Sequence, residues 1–313
     1  NSLADNATTG QQRYLEIKCT STDSSVDSNA YAMVRQHVEA SPYLQSKLRY
    51  GTSDAQKLTL SFWIKTNLTG THSMSWYYNG STDGGTTYYY PFNFTVSSAN
   101  TWEKKIITIP APPTSYGSIN VGSYAATGGL LNINLQIGAN YQDPAGSWTG
   151  NVAYSSEDVP NFFTSTDNNI LITAIQLEVG DDASDFEYIP FDVQLQRCQR
   201  YYEKSYNYSV VPGTSTTYEG THLAEVLADG TTTRIKILDS RFSVRKRAAP
   251  TMTFYTSDGG ASGEINNYSS GADKTISSIG NTSETSIGRY LSMTDAGATN
   301  ETYEFQYEAN AEL

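Results

Sequence analysis

Cysteine is nearly missing from this sequence. Cys19 and Cys198 are its two, too few for the disulfide framework that staples small secreted domains; a single bridge between them is the one pairing open. Histidine is as scarce, with His37, His72 and His222 alone. None of the three stands beside a Gly-x-Ser-x-Gly elbow or in a His-Glu-x-x-His helix motif. No phosphate-cradling glycine loop precedes a helix pattern, and neither cysteine has the electropositive setting that activates a thiolate, although Arg197 and Arg200 flank Cys198. Enzyme signatures are therefore absent and a non-enzymatic role is the expectation. No stretch approaches the roughly 18 apolar residues of a membrane span, so membrane insertion is not expected. No signal peptide is evident, and a chain opening on Asn1 is expected to lack part of its first module.

Positive charge is also in short supply. Lys and Arg total 20 against 32 Asp and Glu, a formal net charge of −12. That balance excludes ordinary nucleic-acid binding, which needs cations to neutralise phosphates. The short basic run Arg241, Arg245, Lys246, Arg247 reads as a solvated strand end or a subunit contact. A surface of this sign repels acidic polysaccharide unless divalent ions intervene, so a neutral glycan or a protein is the expected target.

What the chain has in abundance is tyrosine: 24, against 10 Phe and 4 Trp. Gly, Ser, Thr and Asn punctuate short alternating runs, which predicts an all-β protein. In Leu58–Lys65 the residues Leu58, Leu60, Phe62 and Ile64 point one way, and Ser61, Trp63 and Lys65 the other. Leu131, Ile133, Leu135 and Ile137 repeat the pattern, as do Met74, Trp76 and Tyr78. Ile175, Leu177 and Val179 form a further stripe. Segments Tyr14–Cys19, Tyr31–Val38, Tyr88–Thr95 and Trp102–Ile109 add more strands, and antiparallel strands at this spacing form a two-sheet sandwich. At Asp192 the period changes: Asp192 is placed to cap a helix, and Leu195, Cys198 and Tyr202 then share one face. Strands resume at Tyr206–Val211, Leu223–Leu227, Thr232–Ile237, Thr251–Tyr255, Thr275–Ile279, Ser286–Met293 and Thr302–Glu308. The length of 313 residues suits two or three domains. The boundaries read as a sandwich over 1–191, a linking helix over 192–206 and a smaller sandwich over 207–313.

Two groups of residues are candidates for chemistry. Glu178, Asp181, Asp182, Asp185 and Glu187 crowd ten residues and read as a solvated acidic turn; Asp181, Asp182 and Asp185 could alternatively hold a structural calcium ion, which would relieve their repulsion. The aromatic residues Trp63, Trp76, Tyr78 and Tyr89 could form a carbohydrate-binding surface, since flat rings stack on the apolar faces of sugars. Core or subunit packing competes with that reading for each of them.

The segment ITAIQLEVGDDASDFEYIPFDVQLQRCQRYYEK carries a resemblance. Through Gln176, Leu177, Glu178, Gly180, Phe186, Glu187, Pro190, Leu195, Cys198, Gln199, Arg200, Tyr201 and Tyr202 it resembles the end of a jelly-roll module in bacteriophage tail-fibre and virion-surface proteins. LSFWIKT, TWEKKIITIP and AIQLEVG look like the ordered landmarks of a carbohydrate-binding-module-type jelly roll, with Trp102 and Pro110 in place. RAAPTMTFYTSDG resembles the opening of those proteins' distal β-domain. The resemblance implies a virion-surface protein assembled in the host cytoplasm, a tail fibre or a head fibre or decoration protein. It would form homotrimers, touch other virion proteins and adhere to a host cell-surface glycan or protein. It also implies that Leu195, Cys198, Tyr201 and Tyr202 pack between modules, Cys198 as a small apolar side chain. A glycan-binding protein using Trp63 and Trp76 is the alternative. A polysaccharide depolymerase using Glu178 with a distant carboxylate is less favoured, since glycoside hydrolysis needs two carboxyls facing across a cleft.

Overall fold

A computed structural model of the chain describes all residues except 1–7, 12, 81–85, 122–126, 158, 216–218, 227–233, 259–261, 294–300 and 313. The fold is all-β, as the alternating runs require, and the chain forms two compact units, Asn1–Tyr188 and Ile189–Glu312.

Among the described residues eight strands build the first unit: β1 (Leu15–Lys18), β2 (Tyr31–Glu39), β3 (Leu58–Thr66), β4 (Gly70–Asn79), β5 (Thr87–Val96), β6 (Glu103–Ile109), β7 (Thr127–Ile137) and β8 (Asn169–Val179). They pair antiparallel as two four-stranded sheets, β1-β8-β3-β6 and β2-β7-β4-β5. Successive strands cross between the sheets except at the β4-β5 hairpin, which is the jelly-roll arrangement. Alternation decides which side chains meet between the layers. Leu60, Phe62 and Ile64 of β3 pack with Met74, Trp76 and Tyr78 of β4, Leu131 and Ile133 of β7, and Ile170 and Ile172 of β8, all buried. In β8 the inward positions change from Ile170 and Ile172 to Leu177, an odd shift that a regular strand forbids. A bulge makes it possible: Ser61 pairs Gln176 and Trp63 pairs Thr173, so Phe62 faces two residues, and Ala174 sits at φ 51°.

A helix that the alternation did not predict, α1 (Pro42–Leu48), follows β2. The Ser41 hydroxyl accepts from the Leu44 amide at 3.0 Å, and Pro42 takes the first helical position, where its missing N–H costs nothing.

The second unit begins with α2 (Phe191–Gln199). Pro190 precedes its first residue, so Asp192 stands inside the first turn and caps nothing through its side chain. The helix stops at Gln199, short of the expected 206, because the chain at once becomes β9 (Tyr202–Lys204). The remaining strands are β10 (His222–Val226), β11 (Arg234–Ile237), β12 (Thr251–Tyr255), β13 (Glu264–Asn267), β14 (Asp273–Gly280), β15 (Tyr290–Met293) and β16 (Thr302–Asn310). Their sheet closes on itself: β10-β11-β15-β14-β13-β16 runs back to β10, giving a small barrel in place of two separate layers. The second half of β16 continues past the ring between β12 and β9. Ile235, Ile265, Leu291, Tyr303 and Phe305 fill the interior.

Two local expectations change here, and a third falls partly outside the described residues. Tyr206–Val211 is irregular, its carbonyls at Tyr208 and Val210 taken by the Lys204 ammonium. Residues 227, 232 and 233, expected in strands, lie outside the described residues. The basic run is only half solvated: Arg241 and Arg245 are exposed, but Lys246 is fully buried and Arg247 nearly so. Arg247 donates to the carbonyls of Ala311 and Glu312 at 2.7 and 2.8 Å, which ties the run to the end of β16.

Candidate functional site

The outward face of the β2-β7-β4-β5 sheet gathers rings from distant parts of the chain. In β4 the inward set is His72, Met74, Trp76 and Tyr78, so Tyr77 points outward. In β5 the inward set is Tyr88, Tyr90, Phe92 and Phe94, so Tyr89 points outward. Tyr77 and Tyr89 are register partners and their ring centroids stand 4.9 Å apart. From β2, Tyr31 and Arg35 reach the same face. The chain after β7 folds back across it and contributes Tyr141 and Tyr154. That segment is pinned by polar groups: Asn134 donates to the Tyr154 carbonyl at 2.6 Å, and the Ser156 amide to the Ser73 hydroxyl at 2.8 Å.

The result is a continuous platform. Tyr89 meets Tyr154 at 5.9 Å, and Tyr154 meets Tyr141 at 5.1 Å and Tyr31 at 5.5 Å. The Arg35 guanidinium carbon lies 4.8 Å over the Tyr154 ring and 5.8 Å from that of Tyr31, a cation–π arrangement. Its Nε donates to the Asn132 side-chain oxygen at 3.1 Å, and among the described residues no carboxylate pairs with it. Tyr31 is 53% exposed and Arg35 is exposed; Tyr77, Tyr141 and Tyr154 are half-buried, and Tyr89 is buried beneath its neighbours. Burial pushes the Tyr77 and Tyr89 hydroxyls up in pKa, so both remain protonated hydrogen-bond donors. Stacking area, hydroxyls and one cation are what this face offers a ligand.

Of the four residues singled out from sequence for carbohydrate, Trp63, Trp76, Tyr78 and Tyr89, only Tyr89 belongs to the platform. Trp76 and Tyr78 are fully buried: their phase in β4 aims them between the sheets, where the Trp76 ring lies against Gly129, at which a β-carbon would stand 2.2 Å from the ring. Trp63 is half-buried on the outer face of the other sheet, opposite Lys104 and Thr173. It therefore cannot share a site with Tyr89. Tyr31, Arg35, Tyr77, Tyr141 and Tyr154 were not proposed as one site. Only the phase of Tyr77 and Tyr89, opposite to the buried Trp76 and Tyr90, was visible beforehand.

The acidic turn is anchored by the protein itself. Lys57 bonds Asp181 at 2.9 Å and holds its carboxyl below the usual range. The Ser184 hydroxyl and amide donate to Glu178 at 2.5 and 3.1 Å, lowering that carboxyl as well. Asp181, Asp182 and Asp185 are not drawn together, and among the described residues no three His, Cys, Asp or Glu side chains gather closely enough to hold a metal ion.

The inter-module set also separates. Leu195 is half-buried, but Cys198 is exposed rather than packed, and both cysteines are free. Tyr201 and Tyr202 follow the helix and join the distal sheet. The Tyr201 carbonyl accepts from Ala311 at 2.7 Å, and the Tyr202 hydroxyl donates to Glu308 at 2.9 Å.

No family model matches the chain, and no curated protein matches it. Among solved structures, the exported protein XepA of PBSX is 10% identical over 94% of this chain and 86% of that one, with a TM-score of 0.17. The structure of deformed wing virus carrying the GFP gene is 9% identical over 93% and 73% of the two chains, with a TM-score of 0.20. Likenesses this slight carry no argument about what the chain does.

Proposed function

We propose that this protein is a non-enzymatic component of a bacteriophage virion surface, in a tail fibre or a head fibre or decoration layer, and that it works by adhesion. The platform of Tyr31, Arg35, Tyr77, Tyr89, Tyr141 and Tyr154 is the observation that carries the reading. Tyrosine suits a contact surface because it buries a large rigid area with little loss of rotamer freedom and keeps a hydroxyl for a wet rim. The ordered landmarks through LSFWIKT, TWEKKIITIP and CQRYY support the virion setting. In this reading the platform stacks on a neutral host-surface glycan, its hydroxyls and Arg35 bonding the sugar hydroxyls, and the chain assembles as a homotrimer.

Binding of the full chain to host cells and to a neutral-glycan array tests it. The variant Tyr31→Ala/Tyr154→Ala should lose both signals while its tryptophan fluorescence stays that of the wild type. Retained binding in a folded variant would remove the platform from the contact. Light scattering of the full chain tests the assembly; a monomer at micromolar concentration would refute the trimer.

A further inference from the structure

The distal barrel gathers positive charge where the chain as a whole has least of it. Arg234 and Lys236 alternate with the buried Ile235 and Ile237 along β11, so both point outward. The neighbouring strand β15 pairs Tyr290 with Lys236 and Ser292 with Arg234, and Arg289 precedes it. Arg234, Lys236, Arg289 and Tyr290 line a cavity of about 490 Å³, with Ser240 on one side and the exposed Leu238 on another. That volume falls within the range of small-ligand sites, roughly 300–1,000 Å³.

Three features separate this cavity from an ordinary solvated strand. First, no carboxylate is among its described walls, and among the described residues none of the three cations is ion-paired. Glu225 stands opposite Lys236 in register on β10, but among the described residues the two form no ion pair, and three cations left unpaired repel one another unless something anionic joins them. Second, Asp239, which interrupts the segment between Leu238 and Ser240, acts instead on His222. Third, the aromatic wall is fixed. The Tyr290 ring lies on the bare backbone of Gly280, where any β-carbon would come within 2.3 Å of it, and the Arg234 guanidinium carbon stands 4.8 Å over the same ring. Arg234 is thereby oriented before any ligand arrives, which reduces the ordering cost of binding.

We propose that this cavity binds the oxyanion of a small, hydroxyl-bearing ligand: the carboxylate or phosphate of an acidic sugar. Lys236, Arg289 and Arg234 take the oxyanion through charge-assisted hydrogen bonds, while the Ser240 and Tyr290 hydroxyls serve the ligand's hydroxyls. The site is separate from the tyrosine platform. It reverses locally the expectation from net charge that acidic saccharides are repelled. That the oxyanion is borne on a sugar rests on the adhesion reading; that the cavity takes an oxyanion does not.

Calorimetric titration of the full chain at low salt, with glucuronate, glucose 6-phosphate, glucose and inorganic phosphate, provides the test. Glucuronate or glucose 6-phosphate should bind, glucose should not, and affinity should fall as salt is raised. Lys236→Gln/Arg289→Gln should weaken binding roughly tenfold or more, whereas Lys18→Gln/Lys47→Gln, an equal charge change at two exposed positions of the first unit, should leave it unaltered. Gly280→Ala, which displaces the ring, should weaken it with every cation still present. If inorganic phosphate binds as well as either acidic sugar, the oxyanion site stands and its sugar specificity fails, whatever the platform does. Equal binding by the wild type and the double variant, or none of any anion by the wild type, overturns the site.

Discussion

Lys246 donates its buried ammonium to the buried carboxylate of Glu203 inside the distal unit. Each partner is otherwise satisfied. The ammonium also donates to the Gln199 carbonyl at the end of α2, and Glu203 accepts from the Ser243 amide and hydroxyl and from the Tyr307 hydroxyl. One pair thus fastens the helix end, β9, the 243–247 segment and β16. Burial draws Lys246 below the usual lysine range, with Glu203 opposing the shift.

Removing one member of a buried pair strands the other's charge, which costs about 3–5 kcal/mol. Lys246→Met and Glu203→Gln should each destabilise the second unit on that scale. Lys246→Met/Glu203→Leu should recover much of the loss. All four tryptophans, Trp63, Trp76, Trp102 and Trp148, lie in the first unit, so hydrogen exchange at β16 amides is the measurement. Singles no worse than a surface change, within about 0.5 kcal/mol, would show that the pair holds nothing.

The two tryptophans once grouped as a sugar platform should behave oppositely. Trp76→Ala empties the centre of the first core and should cost about 3–5 kcal/mol in urea unfolding. Trp63→Ala, on the opposite face from the tyrosines, should leave glycan binding as in the wild type. Loss of binding in a folded Trp63→Ala protein would move the contact to the β1-β8-β3-β6 sheet.

Ala174 sits in the left-handed region at the β8 bulge, a conformation that costs an L-residue roughly 1–2 kcal/mol. Glycine relieves it but gives back part of the gain as chain entropy. Ala174→Gly should therefore raise the stability of the first unit by up to about 1 kcal/mol, and Ala174→Val should lower it. A destabilised glycine variant would mean that the methyl contributes packing that outweighs the strain.

His72 is buried, its ring stacked on Phe94 at 5.5 Å and its Nε2 donating to the Leu68 carbonyl at 2.9 Å. Burial holds its pKa below 6.5. Below pH 6.5 the unfolded chain takes up a proton at this site that the folded chain refuses. Stability is then lost as pH falls from 6.5 towards the lowered value, and none is lost above it. The urea midpoint followed by tryptophan fluorescence should drop between pH 7 and pH 5, and His72→Gln should flatten that drop. An equal slope in both proteins would assign the pH dependence to other groups.

Much of the first unit could be read from alternation, because a sandwich strand with one buried face writes its phase directly into sequence. Leu58–Lys65 and Leu131–Ile137 were legible for that reason. Glu264–Asn267 was not, since β13 is four residues long with one aliphatic side chain, Ile265, and its place comes from pairing β14 and β16. The basic run misled because Lys246 is neutralised by a residue 43 positions away. The tyrosine platform was hidden for a related reason. Tyr31, Tyr77 and Tyr154 meet only through strand pairing and the fold-back of the chain after β7, and nothing local to any of them announces it.

Within the distal ring, β16 touches β10 and β13 with its first half and β12 and β9 with its second. It is also the last of those strands to leave the ribosome. The nascent module must wait with four partners and open edges until residues 302–310 emerge, a window in which two neighbouring nascent chains can exchange that strand.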